Sequence, residues 1–310
     1  MLLNNILSLF AAPPKRAAQI PCYCISHMEP KVPDRFFTDI IALGEYGQDL
    51  PLHISKIDAF WHEARPVAFA SAGCFAMSKI IQTTTGSPVV GLCSFRKILL
   101  PKAYGPDDPS AFQVEIRHED VKNLSLSDTL PPKAGQDFFV AGPLMFPDGI
   151  IGQYSKNHIL RDLLDFTSLC IDLGVLTSEQ AKDFLLCPLF IPGGSDFGFY
   201  PAQWLAKSQS RLELVGRTFV NQYRERILSY ERFEVRALSY LTERLGSYFV
   251  LMELMERYQW KPTFHLTNEF GSGVQMLCGQ EHLGPIPPEI FGRMHVFVDS
   301  YGSYKGGLAD

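Results

Sequence analysis

The chain has 310 residues, 46% hydrophobic and 20% charged, which is enough apolar material for a full core and excludes a disordered chain. Its formal net charge is −5 without any long basic run, so no nucleic-acid partner is expected. The 7 cysteines are scattered without zinc-ligand spacing, and the simplest setting is a reduced, cytoplasmic one.

At this length the chain is one large α/β domain or one domain with an added helical part. Its first apolar stretch, residues 2–12, is followed rather than preceded by cations (Lys15, Arg16). It therefore reads as a short amphipathic helix ended by Pro13-Pro14, not as a signal peptide. Residues 1–10 offer a peripheral contact with the inner membrane face, although the segment lacks the cations that strengthen binding to anionic lipid. No run approaches the ~20 apolar residues needed to span a bilayer.

Residues 20–27 form the first strand candidate, and residues 33–43 read as a short helix stopped by Gly44. Residues 52–65 are helix or loop. Residues 70–83 have helical spacing, with Cys74, Met77, Ile80 and Ile81 on one face. The apolar run 89–93, bounded by Gly86 and Pro88, predicts a buried strand that delivers Arg96 and Lys97 to a sheet edge. Ligands bind at that edge in open α/β sheets, but two cations also simply solvate a strand end.

Residues 102–134, dense in Pro and Asp, read as an excursion from the core. Residues 137–143 restore a strand, residues 154–173 predict a single helix, and Thr177-Ser178-Glu179-Gln180 opens another with a capping box. A strand at 187–191 runs into Pro192-Gly193-Gly194-Ser195-Asp196. Helices are expected at 200–214 and, longest of all, at 231–258, where Leu238, Leu241, Leu245, Phe249 and Met252 line one side. A strand at 263–266 and a Gly-rich tail over 271–310 follow, Gly271-Ser272-Gly273 reading as a flexible turn. The expectation is a single α/β domain over residues 1–270, with a mostly parallel sheet and a helical C-terminal part.

There is no P-loop, G-x-S-x-G elbow, H-E-x-x-H or dinucleotide glycine motif. An Asp-x-Asp pair is also missing, and the adjacent Asp107-Asp108 would point in different directions; no cofactor is called for, and a divalent metal stays open without that motif to hold it. Four constellations carry chemistry. Arg96 with Lys97 suits a diphosphate. Tyr154, His158 and Asp162, spaced i, i+4, i+8, hold a proton or a sugar hydroxyl, or are the polar face of a surface helix. Gly193 and Gly194 let the backbone approach a ligand, with Asp196 beyond them as a base, or Ser195 and Asp196 cap the next helix. Arg236, Glu243 and Arg244, beside an apolar stripe, either pair with one another or point at a ligand.

Five stretches in order resemble a bacterial glycosyltransferase family from capsule and exopolysaccharide clusters, domain of unknown function 4422. Gly91-Leu92-Cys93-Ser94-Phe95-Arg96-Lys97 resembles its G-L-x-H-Y-R-R strand, and residues 71–83 stand where it has an E-L-T-x-x-Y-W helix. Tyr154-x-x-x-His158-x-x-x-Asp162, Cys187-Pro188-Leu189-Phe190-Ile191 and Arg236-x-x-x-Tyr240-Leu241-x-Glu243-Arg244-Leu245 resemble three further motifs. The family's strand histidine is Ser94 here, its second arginine Lys97 and its asparagine Pro188; its helix glutamate falls near Ala72 or Gly73.

The resemblance implies a glycosyltransferase A-type fold and transfer from a nucleotide-sugar donor to a growing glycan or lipid-linked glycan. It implies Arg96, Lys97, Arg236 and Arg244 as diphosphate ligands without a metal, and Asp196, Glu243 or His158 as the catalytic base. Tyr154, Asp162, Gly193 and Gly194 would then meet the sugar or acceptor. A non-catalytic glycan- or nucleotide-binding relative, and a hydrolase using His158 with a carboxylate, are the two other classes.

Overall fold

The computed structural model describes residues 20–84, 86–106, 111, 113–129, 137–231, 233–260 and 276–303. The N-terminal apolar segment, Asp107-Asp108, the strand expected at 263–266 and Gly271-Ser272-Gly273 lie outside the described residues. Eleven strands are described: β1 (Cys22–Ser26), β2 (Asp39–Ala42), β3 (Val89–Ser94), β4 (Lys97–Leu100), β5 (Gln113–Ile116), β6 (Val140–Ala141), β7 (Leu144–Met145), β8 (Leu189–Phe190), β9 (Gly198–Pro201), β10 (Met276–Leu277) and β11 (Phe291–Phe297). The helices are α1 (Ile54–Ile57), α2 (Ala59–Glu63), α3 (Arg65–Ala68), α4 (Ser71–Thr84), α5 (Gly149–Asn157), α6 (Leu160–Asp172), α7 (Ser178–Leu186), α8 (Ala202–Leu228), α9 (Ala237–Arg257) and α10 (Gln280–Leu283).

The main sheet runs β2-β1-β3-β4-β11-β5, with β9 added on β3 and β6 on β11. Four of its seven pairings are parallel, so the sheet is mixed and mostly parallel. Every residue of β1 and β3 is buried. Such unbroken apolar runs need cover on both faces, which helices supply. On one face α4 lies so close to β1 that a Cβ on Gly73 would stand 2.6 Å from Ile25 Cγ2. Helices α4 and α9 pack against α8, where Leu212, Phe219, Leu238, Leu241 and Leu245 are fully enclosed. Each such side chain contributes roughly 1.5–3 kcal/mol. A smaller sheet, β10-β7-β8, stands apart.

Four expectations change. Residues 33–43 hold a 3₁₀ turn (Asp34–Phe36) and β2 rather than a helix: Ile40 and Ile41 are β-branched and pair in parallel with β1. The single helix expected over 154–173 is two, because His158 is extended (φ −144°, ψ 174°) between α5 and α6. Among the described residues the longest helix is α8, at 27 residues, against 21 for α9. The stretch read as a C-terminal tail contains β11, which lies between β4 and β5 in the middle of the sheet; β5 itself comes from the presumed excursion. Among the described residues, no helix is long and apolar enough to cross a membrane.

Candidate active site

Strands β2, β1 and β3 run in parallel, so their carboxyl ends share one edge. That edge opens onto a cavity of about 430 Å³, lined there by Leu43, His27 and Ser94. The volume suits a small-molecule ligand, for which roughly 300–1,000 Å³ is usual.

Arg96 and Lys97 both line the cavity. The turn between β3 and β4 is fixed from three sides: Phe95 N–H donates to Ile25 O at 3.1 Å, Val32 N–H to Phe95 O at 3.0 Å, and Phe297 N–H to Arg96 O at 2.8 Å. A cation on such a turn has a defined origin, even where its side chain is long.

Two more guanidinium groups line the same cavity. Arg65 opens α3, and its Nε is buried without a hydrogen-bond partner. Arg236 ends a 3₁₀ turn (Glu234–Arg236) and caps α9; its guanidinium carbon lies 5.0 Å from the Phe69 ring centre and 5.8 Å from that of Phe233. Among the described residues neither side chain has a hydrogen-bond acceptor or an ion-pair partner. Partly buried guanidinium groups without a protein acceptor leave their N–H donors available to water or to an anion in the cavity.

Across from them, the turn after β8 brings Gly193 and Asp196 to the wall. Both glycines have positive φ, +81° at Gly193 and +51° at Gly194. Gly194 also meets α9 directly, since a Cβ there would stand 2.4 Å from Glu243 O. It therefore packs on the helix and does not line the cavity. Glu243 does, with Oε1 accepting the Gly193 N–H at 2.8 Å and Oε2 facing Arg244 Nη1 at 3.1 Å.

Loss of solvent around half-buried Asp196 pushes its carboxyl up to about 7. The neighbouring Glu243 charge acts in the same direction, while hydrogen bonds from Cys74 and Gln209 act against it. A carboxyl balanced near neutrality can take up and release a proton.

The other expected residues lie elsewhere. Arg244 is 5% exposed and does not line the cavity. It donates to Gln153 Oε1 at 3.1 and 3.2 Å and to Tyr240 O at 3.1 Å, and packs on the Phe190 ring. His158 is stacked on Tyr240 at 4.1 Å between ring centres. Burial, with Arg244 beside it, lowers its pKa to about 3, so it is neutral near pH 7. Tyr154 is fully buried and its hydroxyl is held protonated by that burial. Asp162, also buried, receives Arg226 Nη2 at 2.7 Å and the Tyr230 hydroxyl at 2.9 Å. The break at His158 is the reason that Tyr154 and Asp162 do not share a helix face.

Among the described residues no three His, Cys, Asp or Glu side chains are grouped to hold a metal ion. Of the two carboxylates in the cavity, Glu243 is engaged by Gly193 and Arg244. The position where the resembled family has a helix glutamate is closed: Ala72 is fully buried and Gly73 abuts Ile25. Sequence reasoning missed Arg65 and Phe69. The signal available was Arg65-Pro66, a proline at the second position of a short helix, directly before α4.

No protein-family model matches the chain, and no curated protein matches it. A solved apo structure of WbbM, a bifunctional glycosyltransferase, is similar in fold, with a TM-score of 0.52 at 10% sequence identity. The match covers 91% of this chain and 46% of that one, so the chain spans about half the length of WbbM. The architecture described above, a mixed and mostly parallel sheet flanked by helices, is thus the glycosyltransferase A-like fold.

Proposed function

We propose that the protein transfers a sugar from a nucleotide-diphosphate-sugar donor to a hydroxyl of a growing cell-surface or exopolysaccharide glycan. One observation carries the reading: Arg65, Arg96, Lys97 and Arg236, from three separate stretches, line a single cavity with an Asp196 carboxyl poised near neutrality. The likeness in fold to a glycosyltransferase supports it.

In this reading the donor diphosphate lies against the four cations. The bond between the anomeric carbon and the phosphate oxygen breaks, and its electron pair leaves with the nucleoside diphosphate. Fixed guanidinium and ammonium groups meet the charge that develops on that oxygen. The acceptor oxygen bonds to the anomeric carbon and gives its proton to Asp196. Glu243, tied down by Gly193 and Arg244, is better suited to orienting a sugar hydroxyl than to moving a proton. His158 is stacked on Tyr240 outside the cavity lining, which speaks against a hydrolase built on that histidine. A lipid-linked acceptor would bring the protein to the inner membrane face, with residues 1–10 as the contact.

Calorimetric titration with a panel of nucleotide sugars, with and without divalent metal, tests this first. Release of nucleoside diphosphate only when a glycan acceptor is added is the expected second result. Binding without transfer to any acceptor would mark a non-catalytic relative. Failure to bind any nucleotide sugar would overturn the reading.

A further inference from the structure

Phe69 ends α3 with a backbone that side-chain-bearing residues rarely adopt, φ 48° and ψ −130°. A conformation in this glycine-favoured region is strained for phenylalanine and persists only where the surroundings hold it. Here its N–H is bonded to Arg65 O at 2.9 Å, and α4 begins two residues later. The strain puts the ring on the cavity wall, where the Arg236 guanidinium carbon lies 5.0 Å from its centre. Arg236 has no acceptor among the described residues, so rings rather than carboxylates hold it. Stacking of a planar guanidinium on an aromatic face leaves its in-plane N–H donors free for an oxyanion. The same short turn fixes Arg65, whose Nε is buried without a partner among the described residues.

We infer that Phe69 is a positioning residue: its strained backbone sets the ring as a platform for Arg236 and so aims that guanidinium at the phosphates of the donor. The inference rests on the diphosphate reading of the cavity. It gives the left-handed Phe69 a role that packing alone would not require, since a glycine would adopt the same turn without strain.

The test compares Phe69→Gly, Phe69→Ala, Phe69→Leu and Phe69→Tyr in the full chain, with inorganic pyrophosphate, UDP and GDP as probes. Gly and Ala both remove the ring, and each should weaken pyrophosphate binding about tenfold. The Gly variant should nevertheless melt at a higher temperature than the Ala variant, because only glycine relieves the backbone. Tyr should restore binding and Leu should not. The Arg236 Nε–H resonance, assigned by its loss in Arg236→Lys, should sit upfield in the wild type and in Phe69→Tyr and return downfield in Phe69→Leu. Wild-type affinity in the Gly and Ala variants, an unmoved Arg236 resonance, or affinity that merely follows melting temperature across the series would overturn the inference alone. A wild-type protein that binds neither pyrophosphate nor any nucleoside diphosphate would overturn the reading of the cavity and the inference with it.

Discussion

Gly193 donates its backbone N–H to Glu243 Oε1 at 2.8 Å, tying the turn after β8 to α9 across 50 residues of chain. The bond closes one wall of the cavity, because Asp196 sits three residues beyond that glycine. Glu243→Ala leaves the N–H without its acceptor, at a cost of about 1–3 kcal/mol. Glu243→Gln keeps a carbonyl oxygen there and should melt measurably higher than the alanine variant. Equal melting temperatures would show that the bond does not hold the turn.

Arg244 is buried among Gln153, Tyr240 and Glu243, and its removal should be a stability defect. Breaking a buried ion pair costs about 3–5 kcal/mol, and the lower end applies because the Glu243 side chain keeps 30% of its surface. Arg244→Ala should therefore lower the melting temperature strongly, while the protein that remains folded binds nucleoside diphosphate as the wild type does. Lost binding at an unchanged melting temperature would place Arg244 at the ligand instead.

Asp196 gives the protein a pH dependence whose sign differs from that of most carboxylates. Its folded pKa is raised from 3.8 to about 7, so between about pH 4 and pH 7 the native state keeps a proton that the unfolded chain has released. Stability contributed by the group declines as pH rises through that window. Asp196→Asn should match the wild type in stability near pH 4 and exceed it at pH 8, with the difference on the order of a few kcal/mol. Transfer activity should rise with pH through about 7 in the wild type and vanish in the variant. A variant less stable than the wild type at pH 8 would contradict the burial of an ionised carboxylate.

Among the described residues neither Arg65 nor Arg236 has an acceptor to lose. Arg65→Ala and Arg236→Ala should each weaken nucleoside diphosphate binding tenfold or more without lowering the melting temperature, and should flatten the salt dependence of binding. Isothermal titration at two salt concentrations, with a melting curve for each variant, reads all three quantities. Unaltered affinity in both would remove the phosphate site from this cavity.

The sequence made some of this legible through purely local signals. The unbroken apolar run of β3 followed by Arg96 and Lys97 places a cation at the end of a buried strand, and both side chains line the cavity. Gly193-Gly194 before Asp196 marks a turn that needs positive φ, and the turn is there. Arg236 and Glu243, seven apart, face the same way. What failed was set by distant partners. The helix break at His158 is stabilised by stacking on Tyr240, more than eighty residues away, which no window of spacing can register. Residues 291–297 have no strong alternation, and their place in the sheet is decided by β4 and β5; the apolar Val296-Phe297-Val298 was the one local hint. Arg65 lies in a four-residue helix too short to show a period.

The position of β11 has a consequence for the order in which the molecule is built. During synthesis β4 and β5 emerge long before the strand that separates them, and until it arrives each presents unpaired N–H and C=O groups. β11 is also the strand that supplies Phe297 N–H to Arg96 O. A nascent chain that lacks it therefore carries two sticky sheet edges together with an unfinished cation turn. Such a species is a natural client for chaperones and a seed for aggregation. The wall of the cavity that carries Arg96 is completed only when β11, made long after β4 and β5, takes its place between them.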